Sequence, residues 1–152
     1  MKQSDINIVE ASIGGKINKI RYYHLKESRY YTLEEEDMPH PDLFKSLKAF
    51  NKDLAEAYSH LEQEMVERFM VDGGFSVDEK AEAFSINLKG HMKTSHEETV
   101  KVSSGNVPVE GELVEKLATV REELFKYGWE GKAAQQQIPF PEDKEKEGEE
   151  NE

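Results

Sequence analysis

The stretch Lys16–Leu33, KINKIRYYHLKESRYYTL, decides the fold. Ile20 and Tyr22 alternate with charged neighbours, and after Lys26-Glu27-Ser28 the residues Tyr31 and Leu33 repeat the pattern. Successive side chains of a strand point to opposite faces, so each half acquires one apolar face, and the polar break between them predicts a β-hairpin. Downstream the period changes. Glu34-Glu35-Glu36-Asp37 leads into Met38-Pro39-His40-Pro41-Asp42, where Pro41 suits a first helical turn and Asp42 puts negative charge near the positive end of the helix dipole. From there Leu43, Phe44, Leu47, Phe50, Leu54, Tyr58 and Leu61 form a helical stripe able to cover a sheet face.

Beyond that helix, Gly73-Gly74 marks a break after Met65–Val71, a segment that reads equally as a helix end or a strand start. Phe84, Ile86 and Leu88 alternate strictly, and Val100 and Val102 flank Lys101, which predicts strands over 82–91 and 97–103. Ser103-Ser104-Gly105-Asn106 then punctuates the chain. After Pro108, the residues Leu113, Leu117, Val120, Leu124 and Tyr127 recur at helical spacing until Gly128 and Gly131 end the run. Strands grouped around amphipathic helices define an α+β fold: a small antiparallel sheet of about four to five strands packed against two amphipathic helices. The reading gives one domain over 1–131, with 1–13 open to flexibility, then a linker and an acidic disordered tail over 132–152. No internal repeat stands out.

Composition bounds the function. The chain has 152 residues, 32 acidic against 20 basic, for a net charge of -12; 36% of residues are hydrophobic and 34% charged, enough for one small core. With no cysteine, disulfides, thiolate zinc sites, iron–sulfur clusters and cysteine nucleophiles are excluded. No apolar run approaches the ~20 residues that cross a bilayer, and MKQSDINIVEAS at the start lacks the apolar stretch of a signal peptide, so a soluble cytoplasmic protein is expected. The charge is uneven. Residues 141–152 hold seven acids and two lysines, too polar to offset the entropy of ordering them, whereas Lys16, Lys19, Arg21, Lys26 and Arg29 stand against Glu27 alone in the hairpin.

Catalytic signals are weak. His91 and His96 lie beside Glu97 and Glu98, where imidazole and carboxylate could ligate a metal, but no second ligand spacing accompanies them and a solvated hairpin loop explains them better. No serine sits in a nucleophile elbow, and Gly14-Gly15-Lys16 lacks the rest of a phosphate loop. The expectation is a protein without catalytic residues, metal or cofactor.

Two segments point to binding. In the hairpin, Arg21, Tyr23, Arg29 and Tyr30 place cations among aromatic rings, the combination by which single-stranded DNA is held through phosphate pairing and base stacking. The competing explanation is ordinary alternation, with Tyr22 and Tyr31 toward the core and Tyr23 and Tyr30 at its rim. After the last helix, Ala134-Gln135-Gln136-Gln137-Ile138-Pro139-Phe140 has the form of a peptide ligand, the amide bonding at a groove rim and two apolar side chains entering pockets. Gln135, Ile138 and Phe140 resemble the short glutamine-to-phenylalanine motif of bacterial sliding-clamp ligands, with Ile138 in place of leucine and Pro139 before the ring. Ile138-Pro139-Phe140 is also similar to the end of the tails of bacterial single-stranded-DNA-binding proteins, although twelve residues follow it here. Packing of Ile138 and Phe140 back onto the domain is the plain alternative. A third reading takes Glu34, Glu35, Glu36 and Asp37 as carboxylates mimicking phosphates, in an acidic inhibitor of a host defence or nucleic-acid-binding protein.

Over residues 16–140 the layout resembles small uncharacterised proteins of phages and prophages. Tyr31-Thr32-Leu33-Glu34, Pro39-His40-Pro41-Asp42-Leu43-Phe44 and Gly131-Lys132-Ala133-Ala134-Gln135 before Phe140 carry that resemblance. It implies an accessory role in DNA replication or recombination inside a bacterial host cell, through a protein partner such as the sliding clamp.

Overall fold

The computed structural model describes residues 1–58, 67–80 and 83–134. Six strands form one antiparallel sheet: β1 (Ile6–Ser12), β2 (Asn18–His24), β3 (Arg29–Glu35), β4 (Phe69–Lys80), β5 (Ala83–Lys93) and β6 (Thr99–Pro108), in the spatial order β3-β2-β1-β4-β5-β6. The helices are α1 (Pro41–Lys48), α2 (Asn51–Glu56) and α3 (Glu112–Trp129). The architecture is α+β as the periodicities predict, with more strands than the four or five expected. The additional strands come from two places: the supposedly flexible 1–13 supplies β1, and Gly73-Gly74 lies inside β4 instead of ending an element.

The predicted hairpin forms as β2 and β3, paired from Asn18↔Glu35 to His24↔Arg29, with Ser28 at φ 53 in the turn. Cross-strand rows then run through the sheet. Leu33, Ile20, Ala11, Phe75 and Leu88 stand opposite one another in sequence across five strands. Ile20, Ala11, Phe75 and Leu88 are all buried, each large side chain of the row contributing about 1.5–3 kcal/mol through removal from water. The helices cover this face. Leu43, Leu47 and Leu54 meet it from α1 and α2, Phe50 from the junction between them, and Leu117, Val120 and Leu124 from α3.

The first amphipathic stripe is divided. Ala49 and Phe50 separate α1 from α2, and this lets the Asn51 Oδ1 accept from the Val71 N–H at 2.7 Å, capping the edge of β4 where β1 has already ended. At the start of α1, His40 caps the helix by accepting from the Asp42 N–H, with Pro41 in the first turn. The second helix continues through Gly128, which was expected to end it. A Cβ there would come within 2.7 Å of Leu33 Cδ2, so glycine permits α3 to lie close on β2 and β3, and the helix stops at Trp129.

Bulges explain the missed strands. Val9 is an extra residue between Ile8↔Tyr22 and Glu10↔Arg21. Ser104 and Gly105 together oppose Leu88, so the segment Ser103–Asn106 lies within β6 and does not punctuate the chain; Ser104 Oγ accepts from the Leu88 N–H at 2.9 Å. In β4 the register slips between Met70 and Gly74; Gly74 has φ 116, and a Cβ there would lie 1.9 Å from the Ala11 carbonyl oxygen.

The two halves of the sheet pair at Glu10↔Ser76, Ala11↔Phe75 and Ser12↔Gly74, continued by the Ile13 N–H to the Gly73 carbonyl at 3.1 Å, against seven residue pairs between β2 and β3. Past Glu10 the strands part. Arg121 of α3 spans the opening, donating through Nε to the Ile8 carbonyl and through Nη2 to Glu79 Oε1, both at 2.9 Å. Among the described residues no helix is long and apolar enough to cross a membrane. The expected tail over 141–152 and the linker from residue 135 lie outside the described residues.

Candidate functional site

The sheet face away from the helices carries polar rows. Thr32, Arg21, Glu10, Ser76, Asn87 and Asn106 form one complete row, and Glu34, Lys19, Ser12, Gly74, Lys89 and Ser103 form another. No described helix packs on this face, and its chemistry is concentrated at two places.

The first is the outer side of the β2–β3 hairpin. Tyr23 and Tyr30 are cross-strand partners with ring centroids 4.9 Å apart at 61°, and the Arg21 guanidinium lies 4.8 Å from the Tyr30 centroid. That combination is an edge-to-face aromatic pair with a cation over one ring. Tyr30 and Leu25 remain more than half exposed, at 54% and 52%. Together with Val77 they border a cleft of about 650 Å³ where β1 and β4 diverge. Three carboxylates, Glu10, Asp78 and Glu79, also line it. Burial pushes the Glu79 carboxyl up, but hydrogen bonds from Asn7 and Arg121 and the Arg121 charge outweigh it and hold the group below its ordinary range.

The four residues expected to act together therefore divide. Arg21, Tyr23 and Tyr30 share the open face. Arg29 stands opposite His24, on the same side as Tyr22 and Tyr31, because it is one residue out of phase with Tyr30. Tyr22 stacks on Tyr31 at 5.7 Å and meets Trp129 edge-on at 5.0 Å, so this pair belongs to the helix side as simple alternation predicts.

The second place lies on β4, β5 and β6. His91 is paired with Lys101 across the ladder, and Lys89 lies two residues away on the same face. The Asp72 carboxylate meets His91 Nδ1 at 2.7 Å. Lys89, Lys101, Ser12 and Ser103 join these two in bordering a hollow of about 740 Å³. In the row between the two places, Asn87 Oδ1 is a buried acceptor with no hydrogen-bond partner among the described residues.

His91 thus sits within a strand, not in a loop, and its carboxylate partner is Asp72 of β4 and not the nearby Glu97 or Glu98. His96 is in the following turn, where its N–H donates to Thr94 Oγ1, and Glu97 pairs with Lys93 at 3.7 Å. No group of three potential ligands gathers around them among the described residues. Sequence reasoning passed over Asp72, Lys89 and Lys101. The alternation Leu88, Lys89, Gly90, His91 held the signal for one strand, but only the cross-strand register joins it to Lys101. Gln135, Ile138 and Phe140 lie outside the described residues; the chain before them is pinned by the Ala134 N–H to the Met38 carbonyl at 2.8 Å and by a Pro39↔Ala133 bridge.

In the acidic run Glu34 and Glu35 are consecutive residues of β3 and point to opposite faces, and Glu36 and Asp37 follow as exposed residues. Glu34 faces Lys19 at 3.8 Å, and the Asp37 carbonyl accepts from the Tyr127 hydroxyl and from Asn18 Nδ2. Comparison of the chain with protein-family models, with curated proteins and with solved structures finds no match.

Proposed function

We propose that this protein is a non-enzymatic accessory factor of phage-type DNA metabolism that holds single-stranded nucleic acid on its open sheet face. The observation that supports it is the Arg21–Tyr30–Tyr23 cluster set beside a cleft on a face that no described helix covers. Aromatic rings accept any base by stacking, and carboxylates such as Glu10 and Asp78 can accept from exocyclic amines of bases. The net charge of -12 opposes long-range attraction of a polyanion, so recognition has to be local and short-ranged.

Changing both Tyr23 and Tyr30 to alanine is expected to weaken binding of a fluorescein-labelled oligothymidine by about 1–3 kcal/mol per stacked base, measured by anisotropy at low salt. Arg29→Gln, on the opposite face, is expected to change it little. Equal losses from both variants, or no binding by the intact protein, would refute the assignment.

A second reading is favoured by the anchoring of Ala133 and Ala134. Because the domain fixes the chain just before Gln135, it is suited to presenting Gln135, Ile138 and Phe140 as a peptide to a replication protein such as the sliding clamp. Retention of the purified clamp on the immobilised protein, lost when those three residues become alanine, is the result expected; no retention by the intact chain would dismiss it.

A further inference from the structure

We infer that Lys89, His91 and Lys101 form a phosphate-binding station on the open face, which receives the backbone of a strand whose bases occupy the tyrosine cleft. This rests on the nucleic-acid reading above and specifies where the ligand's charge goes.

The tyrosine cleft is poorly made for phosphate. Glu10, Asp78 and Glu79 border it, and the cations around it are engaged: Arg21 lies over Tyr30, Lys19 faces Glu34 and Arg121 holds Glu79. An oligonucleotide seated there needs its phosphates neutralised elsewhere on the face. On β5 and β6 the balance is reversed. Lys89 and Lys101 make no hydrogen bond or ion pair with a side chain among the described residues, and Lys93 meets only the exposed Glu97.

His91 completes the group. It is opposite Lys101, where paired residues lie about 4.5–5.5 Å apart between Cα atoms, and it is two residues from Lys89, about 7 Å along the strand. Asp72 Oδ1 fixes the ring by its contact with Nδ1 at 2.7 Å, leaving Nε2 as the nitrogen available to a ligand. Held in that way the ring turns its Nε2 edge toward the ligand, while two ammonium groups supply the donors to phosphate oxygens. Ser103, opposite Lys89, adds a hydroxyl. Hydroxyl, imidazole and ammonium donors with a single carboxylate among them suit a phosphate and do not suit a cation.

The separation of the two places selects the ligand. β2 and β5 are three inter-strand steps apart, about 14 Å, and Lys89 is level with Lys19, four residues or about 13 Å along β2 from Tyr23, so one molecule that fills both places must be an extended chain lying obliquely on the sheet and not a mononucleotide. The bound strand runs across the sheet, over Ser76 and Asn87.

The test uses the full-length protein and a fluorescein-labelled oligothymidine, with anisotropy read over a salt series. Removing two phosphate contacts from a single strand makes the slope of log affinity against log salt shallower by about 1.4. Lys89→Gln with Lys101→Gln is expected to give that change and a loss of affinity at low salt. The control is Lys48→Gln with Lys52→Gln on the helix layer, which removes the same charge away from the face. Equal effects of the two double variants would overturn the station while leaving the tyrosine variants to decide the nucleic-acid reading. His91→Gln, with the lysines intact, is expected to lower affinity at low salt; no loss there removes the imidazole from the group. Failure of the intact protein to bind the strand overturns both proposals.

Discussion

Asn18 is the most heavily used polar side chain of the interior. It is 4% exposed, accepts from the Gly14 N–H at 2.9 Å and donates to the Tyr127 hydroxyl and to the Asp37 carbonyl. One amide thereby joins the β1–β2 loop, the turn before α1 and the end of α3. Burial pushes the Tyr127 phenol up, and the bond from Asn18 works against that rise. Replacing Asn18 with alanine leaves the Gly14 N–H without its acceptor and is expected to cost about 1–3 kcal/mol, read as a lowered urea midpoint with an unchanged m-value. Glu79 gives a second residue-scale prediction. Its carboxyl is held below the ordinary value, so the stability it contributes is complete above the unfolded pKa of a glutamate and is lost as pH falls through the folded one. Arg121→Met should therefore lower stability at neutral pH and bring the variant and the parent closer together in acid, as denaturation at both pH values would register.

At the scale of elements, the glycines of the sheet separate two kinds of constraint. A Cβ at Gly90 would lie 1.9 Å from the Met70 carbonyl oxygen, so Gly90→Ala must push β4 and β5 apart and is expected to cost about 3 kcal/mol or prevent folding. Gly105 has φ 68 and nothing near its missing side chain, so Gly105→Ala should cost only the left-handed backbone penalty, about 1–2 kcal/mol. Thermal melts of the pair compare them directly. The same irregularities decided what could be read in advance. The β2–β3 hairpin and β5 follow period two without interruption, and their alternation was sufficient. In β1 the extra Val9 shifts the apolar phase from Ile6 and Ile8 to Ala11 and Ile13, and in β6 the extra residue at Ser104-Gly105 shifts it from Val102 to Val107. A two-residue period broken in mid-strand looks like a loop, and two glycines in β4 look like a turn. For the open face, Arg21, Tyr23 and Tyr30 were visible because they are neighbours in sequence. Asp72, His91 and Lys101 belong to three strands, and no single-strand pattern joins them.

Over the whole molecule the charge has a direction. The open sheet face carries Lys89 and Lys101, while residues 141–152 carry a net -5 on a segment that follows the anchored Ala134. Deleting 141–152 should strengthen oligothymidine binding at low salt, with the gain shrinking as salt rises, because competition between like-charged segments is screened over about 10 Å at ~0.1 M. The topology is also two-part. Three strands and a helical segment occur twice, and the order β3-β2-β1-β4-β5-β6 places the first strand of each half at the centre. The tyrosine cleft belongs mainly to the first half and the lysine group to the second.

The short ladder between β1 and β4 gives that division a mechanical meaning. Three residue pairs form a narrow join, and beyond it Arg121, bonded to Ile8 and Glu79, and Asn7, bonded to Glu79, tie the two leaves together. Both ties end on the Glu79 carboxylate, so one ionisable group holds the edges of the two leaves together beyond the ladder. Under the nucleic-acid reading proposed above, that carboxylate helps to fix the distance between the tyrosine rings and the lysines.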